Sequence, residues 1–238
     1  NTDNMTVTGE TIDYGPCAFM DSYDPSTVFS SIDVNGRYAY FNQPSIARWN
    51  LERFAECLLP LINDDSKKAI KLAEEVLKNF ADIYKRSWLK MMKNKLGLIS
   101  ENSSDENLIT ELLSWMHKNK ADYTNTFCLL MNQLEEKNKI YQNDDFKKWI
   151  QKWELRRKSD NITIQESLDL MRKNNPLLIP RNHLVEDAIQ DATKNDNYAK
   201  TINLIESLKT PYNYLKLNKS FQSENNLYNE KYITYCGT

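Results

Sequence analysis

Asn1-Thr2-Asp3-Asn4-Met5-Thr6-Val7-Thr8-Gly9-Glu10-Thr11-Ile12-Asp13-Tyr14-Gly15-Pro16 is the stretch on which the reading of the whole chain turns. Asp3 and Asn4 are adjacent, and Asp13 comes after a run in which Val7, Thr8, Thr11 and Ile12 favour extended backbone. Gly9 supplies a turn in the middle, so the pattern predicts a small β-hairpin that sets Asn4 beside Asp13. Hard divalent cations such as Mg2+ take oxygen ligands, often only one or two from protein, while water and nucleotide phosphate complete the octahedron. The Asn4 carbonyl and the Asp13 carboxylate suit that task. Asp3, one residue from the first ligand, is then placed to accept or orient the proton of an attacking hydroxyl. Residue 1 is not Met, so it is expected to be an internal position of a longer protein.

Protein kinases use the same parts: a catalytic-loop Asp as base, an Asn on one metal, and the Asp of a D-F-G triplet on the metal again. Asp13-Tyr14-Gly15 stands where that triplet would stand. The spacing differs, because an ordinary kinase separates the base from the Asn by four residues. That departure comes with Thr11-Ile12-Asp13-Tyr14-Gly15-Pro16, Phe19-Met20-Asp21, Tyr23-Asp24-Pro25, Gly36-Arg37-Tyr38, Asn42-Gln43-Pro44, Trp49-Asn50-Leu51, Asn175-Pro176 and Arg181-Asn182. In this order, from residue 1 to about residue 211, the chain resembles the selenoprotein O family, also known as YdiU, whose members have a protein-kinase-like fold.

The resemblance implies transfer of AMP from ATP, bound in the reverse of the kinase orientation, to Ser, Thr or Tyr hydroxyls of proteins, with release of pyrophosphate. Carried over by position, Asp3 is the proton acceptor, Asn4 and Asp13 hold Mg2+ (or Mn2+), and Asp13 also faces the ATP. In that family the Gly-rich segment, the Lys–Glu pair and the arginines that grip the phosphates lie upstream of the Asp3 motif. This chain has 5 glycines and no G-x-x-x-x-G-K-[ST]. It is therefore expected to be a C-terminal part, inactive alone, whose first partner is the missing N-terminal lobe of the same protein. Two other readings are a kinase-type phosphotransferase and a catalytically silent helical interaction module. Retention of Asp3, Asn4 and Asp13 at the family spacing favours the enzyme.

The expected fold is mainly α: a protein-kinase-like C-terminal lobe with a short β-hairpin at its start and a large helical region after it. Residues 1–43 would hold the metal-binding hairpin and an activation-like loop, 44–211 the helices, and 212–238 a tail. A net charge of −2 over 238 residues argues against a nucleic-acid partner, and no run of 18 apolar residues exists to span a membrane. The Cys17-Ala18-Phe19-Met20-Asp21 run, Ser30-Ser31-Ile32-Asp33 and the Cys236-Gly237-Thr238 ending resemble bacterial members, which are cytoplasmic, whereas eukaryotic members are mitochondrial.

Helical periodicity governs the remainder. Pro44 suits a first helical turn, with Ile46, Trp49, Phe54, Leu58 and Leu59 following at helical spacing. Ile70, Val76, Leu77, Phe80, Ile83, Tyr84 and Met91 predict one long helix ended by Gly97. Further helices are expected near 104–118, 121–140, 144–158, 163–173, 181–194 and 197–208, with a Thr163…Glu166 capping box. Trp149, Ile150 and Trp153 share one helical face and read as core despite the neighbouring basic residues. Arg37, Tyr38, Asn42 and Gln43 are read as structural residues of the irregular loop, and His117 and His183 lack a partner motif. Cys57 and Cys128 are expected to be buried packing residues. The resemblance also raises a disulfide between Cys17 and Cys236, but other members carry their loop cysteine further on, where this chain has Phe29, and the pairing stays open.

Overall fold

The structure is a computed structural model that describes residues 1–10, 18–131 and 139–214. Asp13, Cys17 and Cys236, and with them the far side of the expected hairpin and most of the expected tail, lie outside the described residues. The described residues fall into two compact units: residues 1–10 with Pro25–Trp88, and Ala18–Asp24 with residues 89–131 and 139–214.

In the first unit, α1 (Gln43–Ile62) carries Pro44 in its opening turn, where a missing N–H costs no hydrogen bond. It packs on α2 (Ser66–Leu77), which starts at Asp65, whose carboxylate accepts the Lys67 and Lys68 amides at 2.9 and 3.3 Å. The long second helix expected through Met91 is two helices. α2 stops at Leu77 and α3 spans Phe80–Lys95, because Asn79 turns its side-chain amide back onto the Glu75 carbonyl (3.3 Å) and its own N–H onto Val76 (3.1 Å). Such local bonding competes with helix propagation. Cys57 on α1 is exposed instead of buried, as are Phe54 and Leu61. Periodicity finds an apolar stripe without saying what covers it.

In place of the first half of the expected hairpin, residues 1–10 form no strand. Thr2–Asn4 is a turn of 3-10 helix, and threonine hydroxyls organise the residues after it. Thr8 Oγ1 lies 2.8 Å from Thr6 Oγ1 and accepts the Glu10 amide at 3.3 Å, and Thr6 Oγ1 donates to the Glu10 carbonyl at 3.2 Å. These bonds occupy groups that a strand ladder would need. Gly9 does adopt the left-handed φ of 72° that its turn role requires. Among all described residues the only β feature is an isolated antiparallel bridge, Ser22 with Asp122.

The described residues of the second unit are mainly helical: the end of α3, α4 (Asp105–Asn119), α5 (Tyr123–Leu130), α6 (Asp144–Lys158), α7 (Ile164–Asn174), α8 (Asn182–Asn195) and α9 (Ala199–Leu208). α3 ends where expected. Gly97 (φ 69°) closes it with two bonds, Leu98 N–H to Lys93 and Gly97 N–H to Asn94, at 2.9 and 3.1 Å. A Cβ at Gly97 would also strike the Ser167 backbone oxygen at 2.8 Å. α7 begins with the expected Thr163–Glu166 capping box, and α5 is shorter than the 121–140 expected for it, ending at Leu130.

The core of this unit is a chain of rings, Tyr141, Trp115, Phe146, Trp149 and Trp153, with successive centroids 4.4–6.1 Å apart. Burying tryptophan requires a partner for its N–H, and Trp149 donates to Leu108 O (2.8 Å) and Trp153 to Leu96 O (2.9 Å). Both rings are core residues as their spacing predicts, and Ile150 is half-buried beside them. Cys128 is fully buried, and burial pushes its thiol up to about 12, which suits an inert packing group. No helix among the described residues is long and apolar enough to cross a membrane.

A buried ion cluster fixes α6 against the start of α4. Arg156 donates to Asp105 (2.6 and 3.2 Å), Asp160 (2.6 Å) and Ser100 O (2.8 Å). Burial works against the Asp160 charge, but hydrogen bonds from Ser100, Arg156 and the Ile99 amide outweigh it and hold the carboxyl below its ordinary value. A depressed carboxyl contributes stability above its unfolded pKa and loses it as pH falls through the folded value. Asp160→Asn should therefore be less stable than the parent near neutral pH, with the difference shrinking once pH drops below about 4. Urea unfolding at a series of pH values measures this; a difference that stays constant into acid would refute the role given to Asp160.

Candidate functional site

The site begins with the turn that carries Asp3 and Asn4. Asn1 Oδ1 accepts the Asp3 amide at 3.3 Å, the Asn1 carbonyl accepts the Asn4 amide at 3.2 Å, and Thr2 O accepts Met5 N–H at 3.3 Å. Met5 then leaves in extended conformation. The tight turn carries Asp3 and Asn4 as neighbours in the chain, both exposed. Among the described residues neither side chain makes a hydrogen bond or ion pair, and both residues are exposed. Asn50 lies beneath this turn, with its Nδ2 at 3.4 Å from Asn1 O and 2.8 Å from Met5 Sδ. In the sequence Asn50 stands out only as part of a motif; 45 to 49 residues separate it from its partners, and no local pattern reveals the pairing.

An exposed carboxylate next to an exposed carboxamide oxygen can do two things: accept a proton and bind a hard cation weakly, leaving most of its coordination to water and phosphate. No group of three or more His, Cys, Asp or Glu able to enclose a metal occurs among the described residues. Asp3 and Asn4 offer side-chain oxygens, the ligand type that hard cations take. Asp13, the third residue expected here, lies outside the described residues, so its distance to Asn4 is not part of the geometry.

The loop leading into α1 is built by the residues read as structural. Asp33 accepts the Arg37 and Tyr38 amides at 2.8 Å each, Asn42 Nδ2 donates to Gly36 O at 2.7 Å, and Gln43 Nε2 donates to Tyr38 O at 2.6 Å. The Arg37 and Arg53 guanidinium carbons lie 4.7 and 5.3 Å from the centre of the Trp49 ring.

In the other unit, the segment that comes after the Asp13 triplet in sequence is pinned by Arg181. This side chain is 1% exposed and donates from Nη1 to Asp21 (2.5 Å) and Asp122 (2.6 Å), and from Nη2 to Asn125 (3.1 Å). Burial would favour the neutral guanidine; Asp122 and Asp21 outweigh it and raise the pKa above its ordinary value. Asp122 also caps α5 through the Asn125 amide at 2.7 Å. Asn182 clamps Phe19 by both backbone groups at 3.1 Å, and Tyr23 N–H to Ala121 O (2.9 Å) with Tyr123 N–H to Asp21 O (2.7 Å) completes the bridge. His117 lies 3.7 Å from the Asp24 carboxylate with both groups about half exposed, and burial depresses the pKa of His183.

Comparison with known proteins bears on the same residues. A family model described as "Protein adenylyltransferase SelO" matches residues 1–209. The chain is 52% identical over all its 238 residues to a "Protein nucleotidyltransferase YdiU" of Pelagibacter ubique, of which it covers 49%. It is 50% identical to the protein of the same name from Clostridium perfringens strain 13 and 48% identical to that of Halalkalibacterium halodurans, covering 48% of each. The chain thus spans about half the length of the curated relatives it matches.

The Arg181 cluster makes a sharp stability prediction. Removing the guanidinium leaves two buried carboxylates facing each other, and breaking such a buried pair costs about 3–5 kcal/mol. Arg181→Ala should lower the unfolding midpoint and speed hydrogen exchange at the Tyr23 and Tyr123 amides, which bond across the bridge. Unchanged protection at these two amides would show that Arg181 does not anchor the segment.

Proposed function

The chain belongs to the SelO family of protein adenylyltransferases, and from that premise we propose that it is the C-terminal part of an enzyme that moves AMP from ATP onto Ser, Thr or Tyr hydroxyls of proteins. The observation that carries the proposal is the Thr2–Asn4 turn, which sets an unengaged carboxylate and an unengaged carboxamide next to each other at the surface. In this reading Asp3 takes the proton of the acceptor hydroxyl as its oxygen bonds to the α-phosphorus; the bond from that phosphorus to the bridging oxygen breaks, and pyrophosphate leaves. Asn4 and Asp13 are the residues that would hold Mg2+, or Mn2+ in its place, with Asp13 also facing the ATP. The bound cation supplies neutralisation of the charge that builds on the departing pyrophosphate.

The helical character of the chain and its family support a protein-kinase-like C-terminal lobe. In the same proposal residues 1–43 form the metal-binding and activation-like segment, 44–211 the helical body and 212–238 a tail. The activation-like segment over residues 16–43, in which Asp33, Asn42 and Gln43 brace the backbone, would receive the protein substrate or fold over the site. The names of the bacterial relatives support a bacterial enzyme, which we place in the cytoplasm. Because the chain spans half of those relatives, the ATP-gripping groups are assigned to the remaining half, and the 238 residues alone should transfer nothing.

The test uses full-length protein with ATP labelled on either the α- or the γ-phosphate. Label should pass to protein from the α position only, require Mg2+ or Mn2+, and fall at least about 100-fold in Asp3→Ala and Asp13→Ala. Transfer from the γ position would make the protein a kinase. Absence of transfer with either metal would leave the silent interaction module as the reading.

A further inference from the structure

Asn50 is the one buried residue of α1, at 5% exposure, and it is polar. Burying an amide without need is unfavourable, and its Oδ1 is buried without a hydrogen-bond partner among the described residues. The same volume filled by Leu would carry no such penalty. What the amide does provide is a donor. The Asn1 carbonyl can only accept, so the nitrogen and not the oxygen must face it, which fixes the orientation of the side chain. From that position Nδ2 meets Asn1 O at 3.4 Å and Met5 Sδ at 2.8 Å.

Those two atoms are the two ends of the segment that presents Asp3 and Asn4. Asn1 O is also the acceptor that closes the turn through the Asn4 amide, at 3.2 Å. One buried side chain on a 20-residue helix therefore grips both ends of an otherwise exposed five-residue loop. Functional groups held on a loop gain precision when a rigid element fixes their support. We propose that Asn50 is a positioning residue, which holds the Thr2–Asn4 turn so that the Asp3 carboxylate and the Asn4 oxygen keep their working directions. This goes one step beyond the adenylyltransferase reading and rests on it only for what the turn is held to do.

The experiment compares full-length wild type with Asn50→Leu and Met5→Leu. The second variant removes only the sulfur acceptor at a 43% exposed position and so spares the fold. Hydrogen exchange of the peptide containing residues 1–5 reads the turn directly, without activity. The Asn4 and Met5 amides should exchange about tenfold faster in Asn50→Leu and by a smaller factor in Met5→Leu, with the unfolding midpoint of Met5→Leu unchanged. In the transfer assay, Asn50→Leu should lower kcat about 10–100-fold while KM for ATP stays within about twofold, as expected when a supporting group and not a ligand contact is lost. Unchanged exchange in both variants overturns the positioning role, and so does faster exchange with unchanged kcat. If wild type transfers no nucleotide, the functional reading fails separately while the exchange result still decides whether Asn50 holds the turn.

Discussion

A guanidinium buried to 1% exposure must find its charge partners or destabilise the fold, and Arg181 finds Asp21, Asp122 and Asn125. That requirement organises the helical unit. Arg181 stands at the start of α8, Asp122 at the start of α5, and Asp21 in a segment without regular structure. Meeting one charge therefore orders three separated parts of the chain. The Ser22–Asp122 bridge and the Asn182 clamp on Phe19 then extend the order to the backbone of residues 19–23. Electrostatics sets the register, and the ring chain from Tyr141 to Trp153, with the Arg156 cluster beside it, fills the interior.

The unit that carries Asp3 and Asn4 is held differently. Its helices α1 and α2 leave many apolar side chains exposed, among them Phe54, Leu61, Leu72 and Val76, and its order near the motif comes from amide and hydroxyl bonds. Asn1 Oδ1, Thr6, Thr8, Asp33, Asn42 and Gln43 each bind nearby backbone, and Asn50 is the long-range exception. Such bonding leaves the Asp3 and Asn4 side chains uncommitted, as the roles proposed for them, base and weak metal ligand, require.

The difference between local and long-range forces also explains which features are legible in the sequence. Pro44, Gly97 and the Thr163–Glu166 box act within a turn or two, so the helix starts and the end of α3 are readable from neighbours. Trp149 and Trp153 repeat at helical spacing, and their burial accords with it. The break at Lys78–Asn79 is hidden because apolar residues resume on the far side with nearly the same phase. The threonine-hydroxyl bonds of residues 6–10 are hidden behind the β propensity of the same threonines. Arg181 and Asn50 meet partners 45 to 160 residues away, and only the folded chain shows those pairs. Asp3 and Asn4 are identified by resemblance to a family, and their adjacency on one exposed turn is what the structure adds.

The central claim is that this turn is the metal-and-base half of a nucleotidyl-transfer site. The most direct measurement is a crystal structure of the full-length protein with Mg2+ and a non-hydrolysable ATP analogue. The account predicts Asn4 Oδ1 and an Asp13 carboxylate oxygen at about 2.0–2.1 Å from the metal, with the remaining positions filled by phosphate and water and Asp3 left uncoordinated beside the α-phosphate. A nucleotide-bound metal held by other residues, with Asp3 and Asn4 facing bulk solvent, would contradict it.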